Sequence, residues 1–201
     1  MKNFLFLISV LLVSVCFGQI TAEEYFNQGN AKFDLQDYKG AILDYTKAIE
    51  LNPTYVFAYN NRGLAKSNLE DYRGAIADYN KAIELDLTEV DTYVNRGVAK
   101  SDLEDYRGAI ADYNKAIELN PSYELAYNNR GNAKINLKDY TGATADYTKA
   151  IKINPESVDA YFMRGIANNS LSDIDGACLD WSKAGELGNG DAYEYIKKYC
   201  N

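Results

Sequence analysis

Ser67–Leu85 reads SNLEDYRGAIADYNKAIEL, and Ser101–Leu119 reads SDLEDYRGAIADYNKAIEL. The two stretches stand 34 residues apart and differ only in Asn68 against Asp102. Looser copies lie one period earlier, in Asp34–Leu51 (DLQDYKGAILDYTKAIEL), and one later, in Asn136–Ile153 (NLKDYTGATADYTKAIKI). A fifth, degraded copy is Ser170–Leu187, SLSDIDGACLDWSKAGEL. Self-similarity at a fixed period of this length means an array of identical units, each burying its apolar face on the next.

Within each unit two apolar stripes recur at helical spacing. In the second unit Tyr59, Arg62/Gly63 and Leu69 mark a first helix, A. Tyr72, Ala75/Ile76, Tyr79 and Ala82/Ile83 mark a second, B, after a tight break at Glu70-Asp71. Glycines recur at Gly29, Gly63, Gly97, Gly131 and Gly165, and again at Gly40, Gly74, Gly108, Gly142 and Gly176. Both sets read as packing residues: small side chains let helix axes approach, and recurrent tyrosines fill the gaps. Prolines close three units, at Pro53, Pro121 and Pro155.

These spacings resemble the tetratricopeptide repeat family, whose pattern sets an aromatic, Gly, Ala, aromatic, Ala and Pro along 34 residues. Units starting at Ala22, Val56, Val90, Glu124 and Val158 match it. The second aromatic is Tyr45, Tyr79, Tyr113, Tyr147 and Trp181. The resemblance implies an all-α, right-handed superhelical solenoid of five helix-turn-helix repeats, spanning 22–55, 56–89, 90–123, 124–157 and 158–191. A short helix within 192–201 is expected to cap the last repeat, whose apolar face would otherwise be bare. The sequence departs from the family where a Leu is usual, placing Gln28, Arg62, Arg96, Arg130 and Arg164 there. It also has Leu87 and Asn189 in place of the closing Pro, and Ile174 for the Tyr of the other copies.

Those arginines lie within A stripes, and Asp44, Asp78, Asp112, Asp146 and Asp180 lie within B stripes. A lone buried charge is too costly, so the two sets are expected to pair. The first repeat has its Asp but no Arg. Pairing across junctions therefore uses every arginine: Asp44–Arg62, Asp78–Arg96, Asp112–Arg130 and Asp146–Arg164. Lys32, Lys66, Lys100 and Lys134 are read as snorkelling stems reaching toward Asp37, Asp71, Asp105 and Asp139.

By resemblance, helix A lines a concave groove that holds protein segments, without a cofactor. Asn27, Asn61, Asn95 and Asn129 fall on that face, as do Asn30 and Asn132. The column is similar to the asparagine ladder of O-linked N-acetylglucosamine transferases, in which amides grip a peptide backbone by donating and accepting at once. The same asparagines could instead solvate the groove or support neighbouring helices. Phe57, Leu64, Val94, Val98, Phe162 and Met163 are the expected apolar contacts. Glu23, Asp34, Asp91, Asp102 and Asp159 are acidic, with no Lys or Arg at the groove places. Asn30 and Asn61 fit the carboxylate clamp of related modules, but Phe26, Asp91 and Asn95 stand where its basic residues belong. The expected partner is therefore a neutral or basic protein segment with apolar anchors. A structural subunit docking by its convex face or ends is the alternative.

A net charge of −8 and the absence of His argue against nucleic-acid phosphate. No metal-ligand cluster, phosphate loop or nucleophile with a nearby base is present in the sequence, so no enzyme is expected. Residues 1–18 read as a secretory signal: Lys2, then the apolar run Phe4–Phe17, too short to span a bilayer. Cleavage before Gln19 would deliver a periplasmic or extracellular protein with no membrane insertion. Acylation at Cys16, disfavoured by Val15 before it, and an uncleaved anchor are the other readings. Export implies an oxidising compartment, where Cys178 and Cys200 could join and staple the cap to the fifth repeat, or remain two thiols. Asn168-Asn169-Ser170 matches a glycosylation sequon.

Overall fold

The computed structural model describes residues 20–200, and the segment read as a signal lies outside them. Among the described residues there are eleven α-helices and no strand. They are α1 (Ala22–Asp34), α2 (Tyr38–Leu51), α3 (Val56–Ser67), α4 (Tyr72–Leu85), α5 (Val90–Asp102), α6 (Tyr106–Leu119), α7 (Glu124–Asn136), α8 (Tyr140–Ile153), α9 (Val158–Ser170), α10 (Ile174–Glu186) and α11 (Ala192–Tyr199). Odd and even helices pair as five antiparallel hairpins, each stacked on the next, and α11 packs on α10. Consecutive A helices also touch one another, whereas B helices make no contact of similar extent, so the solenoid curves with the A helices inside. No helix among the described residues is long and apolar enough to cross a membrane.

Each hairpin turn takes two residues between the helix and its cap, or three after α3. In the first, the Asp37 N–H donates to Lys32 O at 2.9 Å and the Gln36 N–H to Phe33 O at 2.8 Å. This is the bond pattern that closes a helix around a left-handed residue. That residue is Gln36, Glu70, Glu104, Lys138 or Ser172, with φ between 61° and 65°, and never glycine. The next residue, Asp37, Asp71, Asp105, Asp139 or Asp173, caps the B helix. Its carboxylate accepts from the N–H of Gly40, Gly74, Gly108, Gly142 or Gly176 at 3.0 Å. A Cβ on any of these glycines would lie 2.1–2.3 Å from that carboxylate. This set of glycines therefore serves the cap, not helix–helix packing as the sequence suggested.

The junctions between repeats are Asx turns. Asn52, Asp86, Asn120 and Asn154 each accept from a backbone N–H two residues on. The side chain sets the turn by itself, which is why Leu87 replaces a proline without changing the fold there. Hydrogen bonds from Thr88 hold the Asp86 carboxyl below its usual range.

The ion pairs run within repeats, not across junctions. Arg62 grips Asp78 with two bonds, Nε at 2.9 Å and Nη2 at 2.6 Å. Arg96–Asp112, Arg130–Asp146 and Arg164–Asp180 repeat this fork. The expected Asp44–Arg62, Asp78–Arg96, Asp112–Arg130 and Asp146–Arg164 pairs are not formed. The count behind them overlooked a second cation one helical turn away. Lys66, Lys100 and Lys134 bind the same carboxylates at 2.7 Å, and Lys32 binds Asp44 at 2.6 Å, so Asp44 needs no arginine. The lysines thus turn inward to Asp44, Asp78, Asp112 and Asp146, not to the capping aspartates. In the last repeat Asn168 takes the lysine's place and donates to Asp180 at 3.1 Å. The arginines do cross the junction, but by Nη1 to neutral groups: Thr46, Asn80, Asn114 and Thr148. Each guanidinium also lies 5.5–5.7 Å from the ring of Tyr59, Tyr93, Tyr127 or Tyr161.

At the C-terminal end Cys178 and Cys200 form a disulfide across 22 residues. Trp181 is fully buried between the last hairpin and α11, with Tyr195 and Tyr199 at ring-centroid distances of 5.1 and 5.6 Å.

Candidate functional site

The inner face is built from the A helices, with one contribution from beneath. Gly29, Gly63, Gly97 and Gly131 are buried. A Cβ on any of them would fall 2.5–2.7 Å from the ring of Tyr45, Tyr79, Tyr113 or Tyr147. The absent side chain lets each B-helix ring lie against the A-helix backbone, so that its hydroxyl reaches the side where the groove residues stand. Burial pushes Tyr45, Tyr79 and Tyr113 up to about 12, and Tyr147 upward as well. Gly165 performs the same service for Trp181, whose indole N–H donates to Phe162 O at 3.2 Å.

Two of these hydroxyls, of Tyr45 and Tyr147, bond to asparagines that the sequence showed only as a column, whereas the Tyr113 hydroxyl meets Ser101. Tyr45 donates to Asn30 Oδ1 at 2.8 Å, and Asn61 donates to the same oxygen at 3.0 Å. Asn60 donates to Asn61 at 3.3 Å, and its own oxygen accepts from Thr92 and Asn95 at 3.3 and 3.2 Å. Three repeats are thereby joined by one chain of side-chain bonds. Farther along, Tyr147 donates to Asn132 at 2.7 Å. Asn61 and Asn95 thus each spend an N–H on the preceding repeat, and Asn60 is the link between them. A signal for Asn60 existed: it directly precedes Asn61, as Asn128 precedes Asn129, but two of its three bonding partners, Thr92 and Asn95, belong to the next repeat. Asn27 is exposed and Asn129 half-buried.

A cleft of about 310 Å³ opens between α1 and α3, lined by Asn30, Phe33, Asp34, Tyr45, Asn61 and Leu64. Along the same face Phe57, Val98 and Leu125 are exposed apolar side chains. Of two further expected contacts, one is buried and the other partly covered. Val94 is 2% exposed and packs in the core with Tyr93 and Tyr113. Phe162 is partly covered by the cap, its ring 5.0 Å from Tyr195. Both follow the A-helix aromatic by one residue, and in these repeats that position turns toward the next helix. Met163 is half-buried against the fourth repeat's core. Of the acidic residues, Asp91 accepts a bond from Tyr123. Burial pushes the Asp102 carboxyl up.

The sequon is not presented for modification, because Asn168 is buried within α9 and bonded to Asp180 and Thr144. No group of metal-ligating side chains forms among the described residues.

Comparison with known proteins agrees with this architecture. The TPR repeat profile matches residues 29–69, and the tetratricopeptide repeat profile matches 56–88, 90–123 and 125–157. A crystal structure of MamA superposes with a TM-score of 0.75 at 28% identity, covering 82% of this chain and 96% of that one. YrrB, described as a TPR protein with an unusual peptide-binding site, gives 0.74 at 22% identity, with 90% and 94% covered, a likeness of fold. The first TPR of Spaghetti (RPAP3), bound to the HSP90 peptide SRMEEVD, gives 0.58 at 29% identity, with 59% and 94% covered. No curated protein sequence matches. The profiles cover more than half of the chain in four consecutive repeats, and the fifth hairpin repeats their geometry: the chain belongs to the tetratricopeptide repeat family.

Proposed function

We propose that this protein is an exported, non-enzymatic scaffold that holds a peptide or protein segment in the groove formed by its A helices. The observation that carries the reading is the inner face itself. A bonded line of amides and hydroxyls runs from Tyr45 to Asn95, flanked by exposed Phe57, Val98 and Leu125 and half-buried Leu64. Polar atoms in register with the repeat suit a peptide backbone, and intervening apolar side chains suit its anchors. RPAP3's module, bound to an acidic peptide, supports segment binding by such a fold. Here Asp34, Asp91, Asp102 and Asp159 give the groove the opposite preference, for a neutral or basic segment. Residues 1–18 and the Cys178–Cys200 disulfide together support export to an oxidising compartment.

A second reading, docking through the convex side or the ends, is favoured by Leu43 and Leu179, which stand exposed on B helices. Capture from the envelope fraction of the source cell separates the two. Leu64→Glu/Val98→Glu is expected to abolish capture of the partner and Leu43→Glu/Leu179→Glu to spare it. The reverse pattern would establish convex docking.

A further inference from the structure

The cleft between α1 and α3 sets the exposed Asp34 carboxylate beside a hydrogen-bonded pair of amides. Two of the donors at the cleft are used internally. The Tyr45 hydroxyl and an Asn61 N–H both point to Asn30 Oδ1, and Asn61 Oδ1 receives Asn60. Beside the remaining amide N–H groups of Asn30 and Asn61, the lining offers acceptors: the Tyr45 oxygen, a second lone pair on Asn61 Oδ1, and the Asp34 carboxylate, the one charged group lining the cleft. Asp34 has no ionic partner among the described residues, while the nearby Lys32 is committed to Asp44. Asp34 is close enough to Tyr45 for its charge to help hold the phenol in the neutral form. Phe33 and Leu64 supply apolar walls beside these acceptors.

Acceptors around one carboxylate, with an aliphatic and an aromatic wall, match a cation on an apolar stem. We propose that this cleft is a subsite for a lysine or arginine side chain of the bound segment, with Asp34 as its counter-ion. The proposal rests on the groove reading above and deepens it. The following junctions place Asn68, Asp102 and Asn136 where Asp34 stands. Asp102 alone repeats the charge, and there Ser101 and Asn132 replace the Phe33 and Leu64 walls, so the first junction is the one equipped for both stem and charge. The cation adds a directional element: it fixes which end of the groove a given side chain of the segment occupies.

The test is to pan a random twelve-residue peptide library displayed on phage against the purified protein, then to measure the affinity of selected synthetic peptides. Expected sequences carry a Lys or Arg at one fixed position. Asp34→Asn is expected to weaken such a peptide about tenfold or more, as is norleucine in place of its lysine, with no further loss when the two are combined. Glu84→Gln, the same charge change on an exposed B-helix position, is expected to stay within about twofold. Asp34 makes no bond that the fold needs, so an unchanged thermal melt is expected for Asp34→Asn. Peptides that lose binding with Val98→Glu, yet lack a cation or ignore Asp34→Asn, would overturn the subsite and leave the groove reading standing. Peptides indifferent to both Leu64→Glu and Val98→Glu, or a library that yields none, would count against both.

Discussion

Asp112→Asn should be among the most damaging single changes in the array. The Asp112 side chain is 5% exposed and holds two cations: Arg96, through Nη2 at 2.6 Å and Nε at 3.0 Å, and Lys100 at 2.7 Å. Removing the anion leaves two largely desolvated positive charges facing each other. Breaking a buried pair by deleting one partner costs about 3–5 kcal/mol, and this site loses the partner of two. Arg96→Met should cost less, about 1–2 kcal/mol, because Lys100 still neutralises the carboxylate and what is lost is a charge-assisted bond pair. Urea unfolding followed by far-UV circular dichroism gives the energies where slopes agree. Hydrogen exchange of α5 and α6 amides shows whether the loss is local, as expected when a repeat array is weakened at one unit. A double-mutant cycle isolates the partner. Arg96 with Asp112 should couple by about 2 kcal/mol or more, and Arg96 with Asp78 by less than about 0.5 kcal/mol. Stronger coupling to Asp78 would refute the within-repeat assignment.

Gly97→Ala should destabilise by about 1–3 kcal/mol despite its better helix propensity, because the added carbon meets the Tyr113 ring at 2.5 Å; a gain in melting temperature would contradict the role given to that glycine. Tyr45, Tyr79 and Tyr113 are held neutral in the fold up to about 12, against an ordinary 10.0. The folded state therefore retains protons that the unfolded chain releases, so this contribution is intact below pH 10 and is lost as pH rises through about 12. Ultraviolet titration should show a late-ionising class of tyrosines and falling stability over that interval; a single class at 10 would remove the effect. Cys178→Ser/Cys200→Ser should lower stability by roughly 3 kcal/mol in the chain-entropy picture of a loop this long. The amides of α11 should lose protection first, and unchanged exchange there would show that the disulfide does not hold the cap.

The repeat itself was legible because periodicity is a one-dimensional property: the near-twin stretches display five hairpins before any residue is placed in space. The hairpin turns were less so. Gln36, Glu70, Glu104, Lys138 and Ser172 adopt a left-handed conformation without glycine, and the glycine three residues after each capping aspartate answers to a side chain, not to a helix axis. The ion pairs were misassigned because charges were counted without geometry. An arginine and a lysine four residues apart share one helix face, so one aspartate can serve both. The groove was legible as a set of A-helix positions but not in its exposure. Val94 looks equivalent to Phe26 and Asn60 in register, yet it is buried where Phe26 and Asn60 are not. The twin stretches prove to be mostly scaffold, and their one difference, Asn68 against Asp102, lies in the register of Asp34.

The claim that the inner face is the binding surface is tested most directly by site-specific photo-crosslinking. A photoreactive phenylalanine analogue placed singly at Leu64, Val98, Leu43 or Leu179 reports which face the partner touches in its native compartment. The account predicts partner adducts from Leu64 and Val98 and none from Leu43 and Leu179. Adducts from Leu43 or Leu179 alone would contradict it.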